Sequence, residues 1–226
     1  LKASGGETVV ISGDTATGTK GDKKLFVYDR VDRKSPTLGK AAPKNAKVLF
    51  GGKGTDRFSD GKKLDGELLK EGVVSMDSFG DFTLHLEFRT PYKPKTKPGS
   101  QDRGNSGVYI FNNYETQILD SFGIKGEFNF CGALYRKKPP AVNMCLPPLA
   151  WQTYDVNFTT PRFKDGKKVK NARITTRHNG VVIHDDYELD KGTGAGGGRP
   201  EKEKGQIHLQ GHGNPVRFQN IWLVEK

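Results

Sequence analysis

Long apolar runs are missing from this chain of 226 residues. Nothing approaches the ~18 consecutive apolar residues of a bilayer-spanning helix, and the longest candidate, Phe218 to Val224, is interrupted by Gln219 and Asn220. No transmembrane segment is therefore expected. Cysteine is nearly absent: Cys131 and Cys145 are the whole complement. Neither sits in a C-x-x-C or zinc-like spacing, so they carry no metal motif. In an exported protein the two would bridge, and in cytosol they would stay reduced. Hydrophobic residues make up only 33%, so the core must be built economically. Helical periodicity never persists beyond a turn or two, and there are no heptads and no internal repeats, which removes coiled coils and solenoids. The chain starts at Leu1 with no apolar signal core behind it, as a processed precursor or a trimmed chain would.

What the chain does have is glycine (29) and proline (12), the residues of many turns. Between them runs period-two alternation. From Asp81 to Arg89, Phe82, Leu84, Leu86 and Phe88 share one face, and Thr83, His85, Glu87 and Arg89 share the other. Val108–Phe111 and Tyr114–Leu119 flank Asn112-Asn113, a two-residue turn, and Ala172–Asp185 contains Asn179-Gly180, a strong hairpin signal. Trp151–Phe158, Ile207–Leu209 and Val216–Val224 continue the series, with a β-bulge expected near Asn220, where the phase shifts. These features predict an all-β, two-sheet antiparallel jelly-roll sandwich of the concanavalin/glucanase type. Residues 1–46 are expected to form an N-terminal arm and irregular lead-in, and 47–226 the sandwich. The glycine-rich stretch within 186–205 reads as a mobile flap.

The net charge of +11 raises the question of nucleic acid. Its distribution argues against that partner. Residues 1–47 hold ten Lys/Arg and five Asp/Glu, and the lysines of 163–170 and 199–204 lack interleaved aromatics. A solvated surface, or attraction to an acidic envelope polymer, is the better reading of the charge.

The polar strand faces are unusual for a solvated surface. Glu87 and Arg89 share one face, Glu115 and Gln117 another with Asp120 at its end, and His208, Gln210 and His212 a third. Tyr109, Tyr114, Tyr135 and Trp151 supply a wall for sugar rings. Singly, each residue has a structural reading, as an ion pair or a satisfied core histidine. Together they point to a carbohydrate site. Jelly-roll glucanases carry a Glu-x-Asp-x-Glu strand, whereas this chain has Glu115-Thr116-Gln117-Ile118-Leu119-Asp120. The usual two-carboxylate mechanism is therefore not supported by this strand.

Val48-Leu49-Phe50-Gly51-Gly52-Lys53, Gly80 to Arg89, Gly104-Asn105-Ser106-Gly107-Val108-Tyr109, Tyr114 to Asp120, Gly132-Ala133-Leu134-Tyr135, Trp151 to Asp155 and Leu209 to Trp222 occur in order over roughly 47–226. This ordered set resembles the 3-keto-disaccharide hydrolase family, whose members are similar to concanavalin-like jelly rolls and are mostly exported bacterial proteins. Phe58 stands where the family usually has Trp, and Gly211 where it commonly has Asp. The resemblance implies a secreted or periplasmic enzyme that removes the C2 proton of a 3-keto-glycoside, expels the anomeric oxygen and adds water. It implies Glu115 or His212 as base, Arg89 or a bound cation at the oxyanion, and Glu87 as acid. Asn105, Gln117, Gln210 and Asn214 would hold sugar hydroxyls, with Tyr109, Asp120 and Tyr135 also lining the site. No motif demands a cofactor; a divalent cation remains open at the carboxylate and imidazole groups. A non-catalytic carbohydrate-binding module and a basic envelope or matrix protein are the competing readings.

Overall fold

The computed structural model describes residues 5–59 and 64–226. Its strands are β1 (Glu7–Ser12), β2 (Thr15–Lys20), β3 (Lys23–Asp29), β4 (Lys47–Phe50), β5 (Leu64–Asp65), β6 (Leu68–Lys70), β7 (Val73–Val74), β8 (Phe82–Arg89) and β9 (Ser106–Ile110). They continue with β10 (Tyr114–Ile118), β11 (Gln152–Thr159), β12 (Arg162–Lys164), β13 (Lys167–Lys170), β14 (Ala172–His178), β15 (Val181–Leu189), β16 (Ile207–Leu209) and β17 (Arg217–Glu225). Among the described residues the only helical turn is a 3-10 segment at Gly194–Gly196, and no helix is long and apolar enough to cross a membrane.

The chain divides into Leu1–Arg33 and Lys34–Lys226. The first unit is the meander β1-β2-β3, with Phe26 stacked on Tyr28 at 4.6 Å. The second is an antiparallel jelly-roll sandwich. Its larger sheet runs β15-β14-β11-β8-β17-β6-β5, with β4 also on β17, and its smaller runs β10-β9-β16-β7.

Alternation builds the core. Phe82, Leu84, Leu86 and Phe88 of β8 all turn inward and are fully buried. Tyr154, Val156 and Phe158 of β11 join them from the same sheet, as do Phe218, Ile221 and Leu223 of β17. The smaller sheet contributes Val73, Val108, Ile110, Tyr114, Ile118, Ile207 and Leu209. Phe158 links the two layers, its ring lying 5.4 Å from both Phe111 and Tyr114. Tyr114 thus faces the core rather than a sugar, and its hydroxyl donates to Glu201.

Turn chemistry explains two local details. Asn179 and Gly180 both have positive φ (50° and 79°) and close the β14–β15 hairpin as anticipated. The β9–β10 turn differs from expectation. Ile110 pairs with Tyr114, leaving three residues in the loop, and the left-handed pair is Phe111–Asn112 (φ 59° and 58°) rather than Asn112-Asn113. An aromatic residue rarely adopts that conformation; here it places the Phe111 ring in the core. The bulge expected in the last strand is present, with a register shift between Gln219 and Trp222 and φ 45° at Asn220.

Residues 35–40 form a strap on the outer face of the larger sheet. Ser35 Oγ lies 2.6 Å from Thr153 Oγ1, Thr37 Oγ1 donates to Asp155 at 2.8 Å, and the Gly39 N–H donates to Glu87 Oε1 at 2.6 Å. Beneath it His85 is fully buried and stacked on Trp222 at 5.0 Å. Its Nδ1 meets Asp155 Oδ1 at 2.8 Å, and its Nε2 lies 3.5 Å from Glu87 Oε1. Both cysteines are buried and unbridged; Cys131 Sγ lies 3.3 Å from the Tyr154 hydroxyl.

Candidate functional site

The outer face of the smaller sheet carries the site. Antiparallel register sets Glu115 of β10 opposite Tyr109 of β9, and Tyr109 opposite His208 of β16. The three form a row across the sheet, with Tyr109 and His208 stacked at 5.7 Å. Gln117 lies opposite Gly107, and the Gln210 N–H donates to the Gly107 carbonyl at 2.8 Å, forming a second row. Two loops wall these rows. Residues 131–138 run beside β10, with the Gln117 N–H donating to Ala133 O (2.9 Å) and the Tyr135 N–H to Glu115 O (3.1 Å). Along the same edge of β10 the fully buried Thr193 accepts the Glu115 N–H on its Oγ1 at 2.7 Å.

On the sheet face, from this edge across to Gln210 and His212, is a cavity of about 380 Å³ lined by Asn105, Tyr109, Glu115, Tyr135, Arg136, Gly194, Gln210 and His212. Six of these residues were singled out from sequence: Asn105, Tyr109, Glu115, Tyr135, Gln210 and His212. Arg136 and Gly194 were not.

Glu115 dominates the electrostatics. It is 2% exposed, and burial raises its pKa to about 7, a rise that a hydrogen bond from Tyr109 only partly offsets. The Gln117 amide satisfies its surroundings with nitrogen turned to Glu115 Oε1 (3.1 Å) and Ser106 O (2.7 Å). Glu115 Oε2 has no partner among the described residues, nor has Gln210 Oε1. Unpartnered buried acceptors are costly, and these two belong to residues lining one cavity, where hydroxyl donors of a ligand would satisfy them. Burial raises the Tyr109 phenol, with the Glu115 charge adding to it. His208 is lowered, chiefly by burial and then by the Arg199 charge, and its Nδ1 lies 3.2 Å from Asn112 Oδ1.

Several expected site residues lie elsewhere. Glu87 and Arg89 point outward from the larger sheet, away from the cavity, so neither serves as its acid or oxyanion group. Glu87 is saturated: besides Gly39 it accepts from Gln219 at 2.7 Å and Asn220 at 2.8 Å. Burial opposes its ionisation, yet His85, Asn220, Gln219 and the Gly39 N–H together pull its pKa down to about 2. Arg89 sits over Trp151 at 5.2 Å, which takes Trp151 out of the proposed sugar wall. Asp120 is buried under Arg103, whose Nε donates at 3.0 Å. Asn214 accepts from Lys93 (2.9 Å) and the Gly104 N–H (3.0 Å) and donates to His212 O (3.3 Å). It shapes the loop that presents His212 instead of reaching a ligand. Gln117 acts through Glu115. At Gly211 an added Cβ would come within 3.0 Å of Gly72 Cα, so backbone packs on backbone where a carboxylate side chain was expected from the family pattern.

The glycine-rich segment is pinned, not a free flap. Thr193 N–H donates to Asn113 O at 2.8 Å, and Asn113 Nδ2 donates to Arg199 O at 3.0 Å. A Cβ on Gly196 would lie 2.2 Å from Asn113 O, a backbone atom that cannot yield cheaply. Gly196→Ala is accordingly expected to lower stability by about 1–3 kcal/mol and to weaken sugar binding, measurable by urea unfolding and titration of the same sample.

Among the described residues no three His, Cys, Asp or Glu side chains gather as metal ligands. Within the cavity lining, Glu115 and His212 are the two groups of those kinds. A larger cavity of about 490 Å³ at Thr159, Arg162, Lys170, Arg173 and Glu188 has its arginines already engaged, Arg162 by Asp81 and Arg173 by Asp186 and Glu188.

Residues 45–224 match the 3-keto-alpha-glucoside-1,2-lyase-like domain, in line with the sequence resemblance. A crystal structure of a candidate glycosyl hydrolase from Parabacteroides distasonis ATCC 8503 is 30% identical, covering 82% of this chain and 85% of that one with a TM-score of 0.72. A second from that organism is 22% identical over 80% of this chain and 99% of its own, with a TM-score of 0.56. A third is 17% identical over 81% and 94%, with a TM-score of 0.58. The last two speak to the fold alone. No curated protein matches. The matches describe a carbohydrate-active, glycosyl hydrolase-like domain.

Proposed function

The chain belongs to the 3-keto-alpha-glucoside-1,2-lyase-like domain family, and on that premise we propose that the Glu115 cavity cleaves 3-keto-glycosides by elimination followed by hydration. The observation that carries this reading is one buried carboxyl with a pKa near 7 and an unpartnered oxygen on the cavity. Direct glycoside displacement needs two carboxyls across the bond, and among the described residues Glu115 is the only one lining this cavity.

A C3 ketone makes the C2 proton removable. Glu115 takes that proton, the C2–H electron pair forms the C2=C3 enolate, and negative charge collects on O3. The pair then returns to restore C3=O, the C1=C2 double bond forms, and the C1–O bond breaks. His212, on the same lining, donates a proton to the departing oxygen. Water then adds across C1=C2: its oxygen bonds to C1 and one of its protons goes to His212, while Glu115, its proton exchanged with solvent, protonates C2, so both groups return to their starting states. Asn105 offers an amide donor to O3, an electrostatic role of the oxyanion-hole kind. Gln210 Oε1 accepts from a ring hydroxyl, and Tyr109 and Tyr135 pack against the ring.

A base must be unprotonated to act. kcat/KM for a 3-keto disaccharide should therefore rise with pH through an apparent pKa of about 7, the value for Glu115. Hydrolysis of the unoxidised parent disaccharide at the same rate would overturn the reading, because that sugar has no acidic C2 proton. Binding of both sugars with turnover of neither would identify a carbohydrate-binding module instead.

A further inference from the structure

We propose that the cavity continues into a subsite for an acidic sugar unit, where Arg136 and Lys191 receive a carboxylate or sulfate carried by the unit bonded to the 3-keto ring. This deepens the 3-keto-glycoside reading and rests on it.

A second cavity of about 400 Å³, lined by Arg136, Lys137, Lys191, Gly192, Gly194 and Gly197, shares Arg136 and Gly194 with the Glu115 cavity. The two adjoin at these shared residues. The second has three cations and no acid in its lining. Asp190 pairs with Lys137 and also feels the charge of Lys191, but neither Arg136 nor Lys191 forms an ion pair among the described residues. Arg57, Arg103, Arg162, Arg173 and Arg217 are each engaged by a carboxylate, whereas Arg136 shares with Arg89, Arg177 and Arg199 the lack of an ion pair among the described residues.

The backbone holds Arg136 in place at a cost. Its φ is 56°, an uncommon conformation for a side-chain-bearing residue and one that clusters at functional sites. Its N–H is fixed to Phe128 O at 2.7 Å, and its guanidinium lies 5.5 Å from the Tyr135 ring centroid. The charge has no evident role in tuning the base, since burial and Tyr109 alone account for the Glu115 shift. An unanswered guanidinium beside an ammonium matches a carboxylate or sulfate, and the chain's net charge of +11 favours the approach of such a substrate.

The test uses Glu115→Gln, which should bind without turnover, titrated calorimetrically with three ligands: a neutral 3-keto disaccharide, its uronate analogue and its sulfate ester. The account expects at least one acidic ligand to bind about tenfold tighter than the neutral one at low salt, as charge-assisted contacts allow, with the preference shrinking at ~0.5 M salt. Adding Arg136→Gln and Lys191→Gln should remove most of that preference. The ratio for the uronate against the sulfate then identifies the acidic group. Equal affinity for neutral and acidic ligands, or a preference that survives both substitutions, overturns the subsite while leaving the sugar site intact. Binding of none of the three overturns the sugar-site reading and the subsite together.

Discussion

Glu115→Gln is expected to lower kcat on a 3-keto disaccharide by about 10³-fold, within the range general-base removal produces, while leaving KM within a few-fold. The same substitution should alter stability in a pH-dependent way. Glu115 has a folded pKa of about 7 against an ordinary 4.5. Between those values the unfolded chain releases its proton while the folded chain keeps it. Wild-type stability is thus undiminished below pH 4.5 and is progressively lost as pH rises to about 7, by a total of ~3 kcal/mol. Glutamine carries no charge and avoids that loss, so the variant should equal or exceed wild type above about pH 8 and show no such advantage near pH 4. Urea unfolding at the two pH values reads it directly. A variant that is equally inactive but unstable at both would indicate a structural role for Glu115.

Glu87→Ala should do the reverse, costing about 3–5 kcal/mol of stability, the usual penalty for breaking a buried charge pair, with kcat per folded molecule unchanged. The reason lies in the lock beneath the strap. Burial lowers the His85 pKa, but hydrogen bonds and charges from Asp155 and Glu87 outweigh it and raise the group above 6.5. Asp155 is lowered although burial opposes it, chiefly by His85 and Thr37. The imidazolium contribution is complete below pH 6.5 and is lost as pH rises through the raised folded value. The Glu87 contribution is present above 4.5 and is lost only as pH falls towards about 2. Wild type should therefore be most tightly locked between pH 4.5 and 6.5, and Glu87→Ala should flatten that maximum. A large fall in kcat for folded Glu87→Ala would restore this residue to the chemistry.

The sandwich was legible because alternation is a local signal. Phe82, Leu84, Leu86 and Phe88 announce a half-buried strand whatever their neighbours, and Asn179-Gly180 announces its own hairpin. The site was legible where residues share one strand or follow one another closely, as with Tyr109, Glu115, Gln210 and His212. Alternation says which residues share a face, but not which sheet the strand joins. Glu87 and Arg89 therefore looked equivalent to Glu115, although β8 lies centrally in the other sheet. That face also becomes buried, because residues 35–40, irregular in sequence, lie on it. Arg136 went unnoticed because a left-handed loop residue has no periodic signature. Tyr114 alternates with Glu115 within β10, so the face that carries Glu115 to the cavity turns the Tyr114 ring into the core. Asp120 and Asn214 have the chemistry of ligand groups, but Arg103, Lys93 and the Gly104 N–H reach them first.

The central claim is that Glu115 removes the C2 proton, and it is tested most directly by turnover of a 3-keto disaccharide in D2O with the released sugar analysed by NMR. The account predicts deuterium at C2 of the product from wild type, and neither product nor exchange at C2 from Glu115→Gln. Exchange at C2 that persists undiminished in Glu115→Gln, or turnover by Glu115→Gln at the wild-type rate, would contradict it.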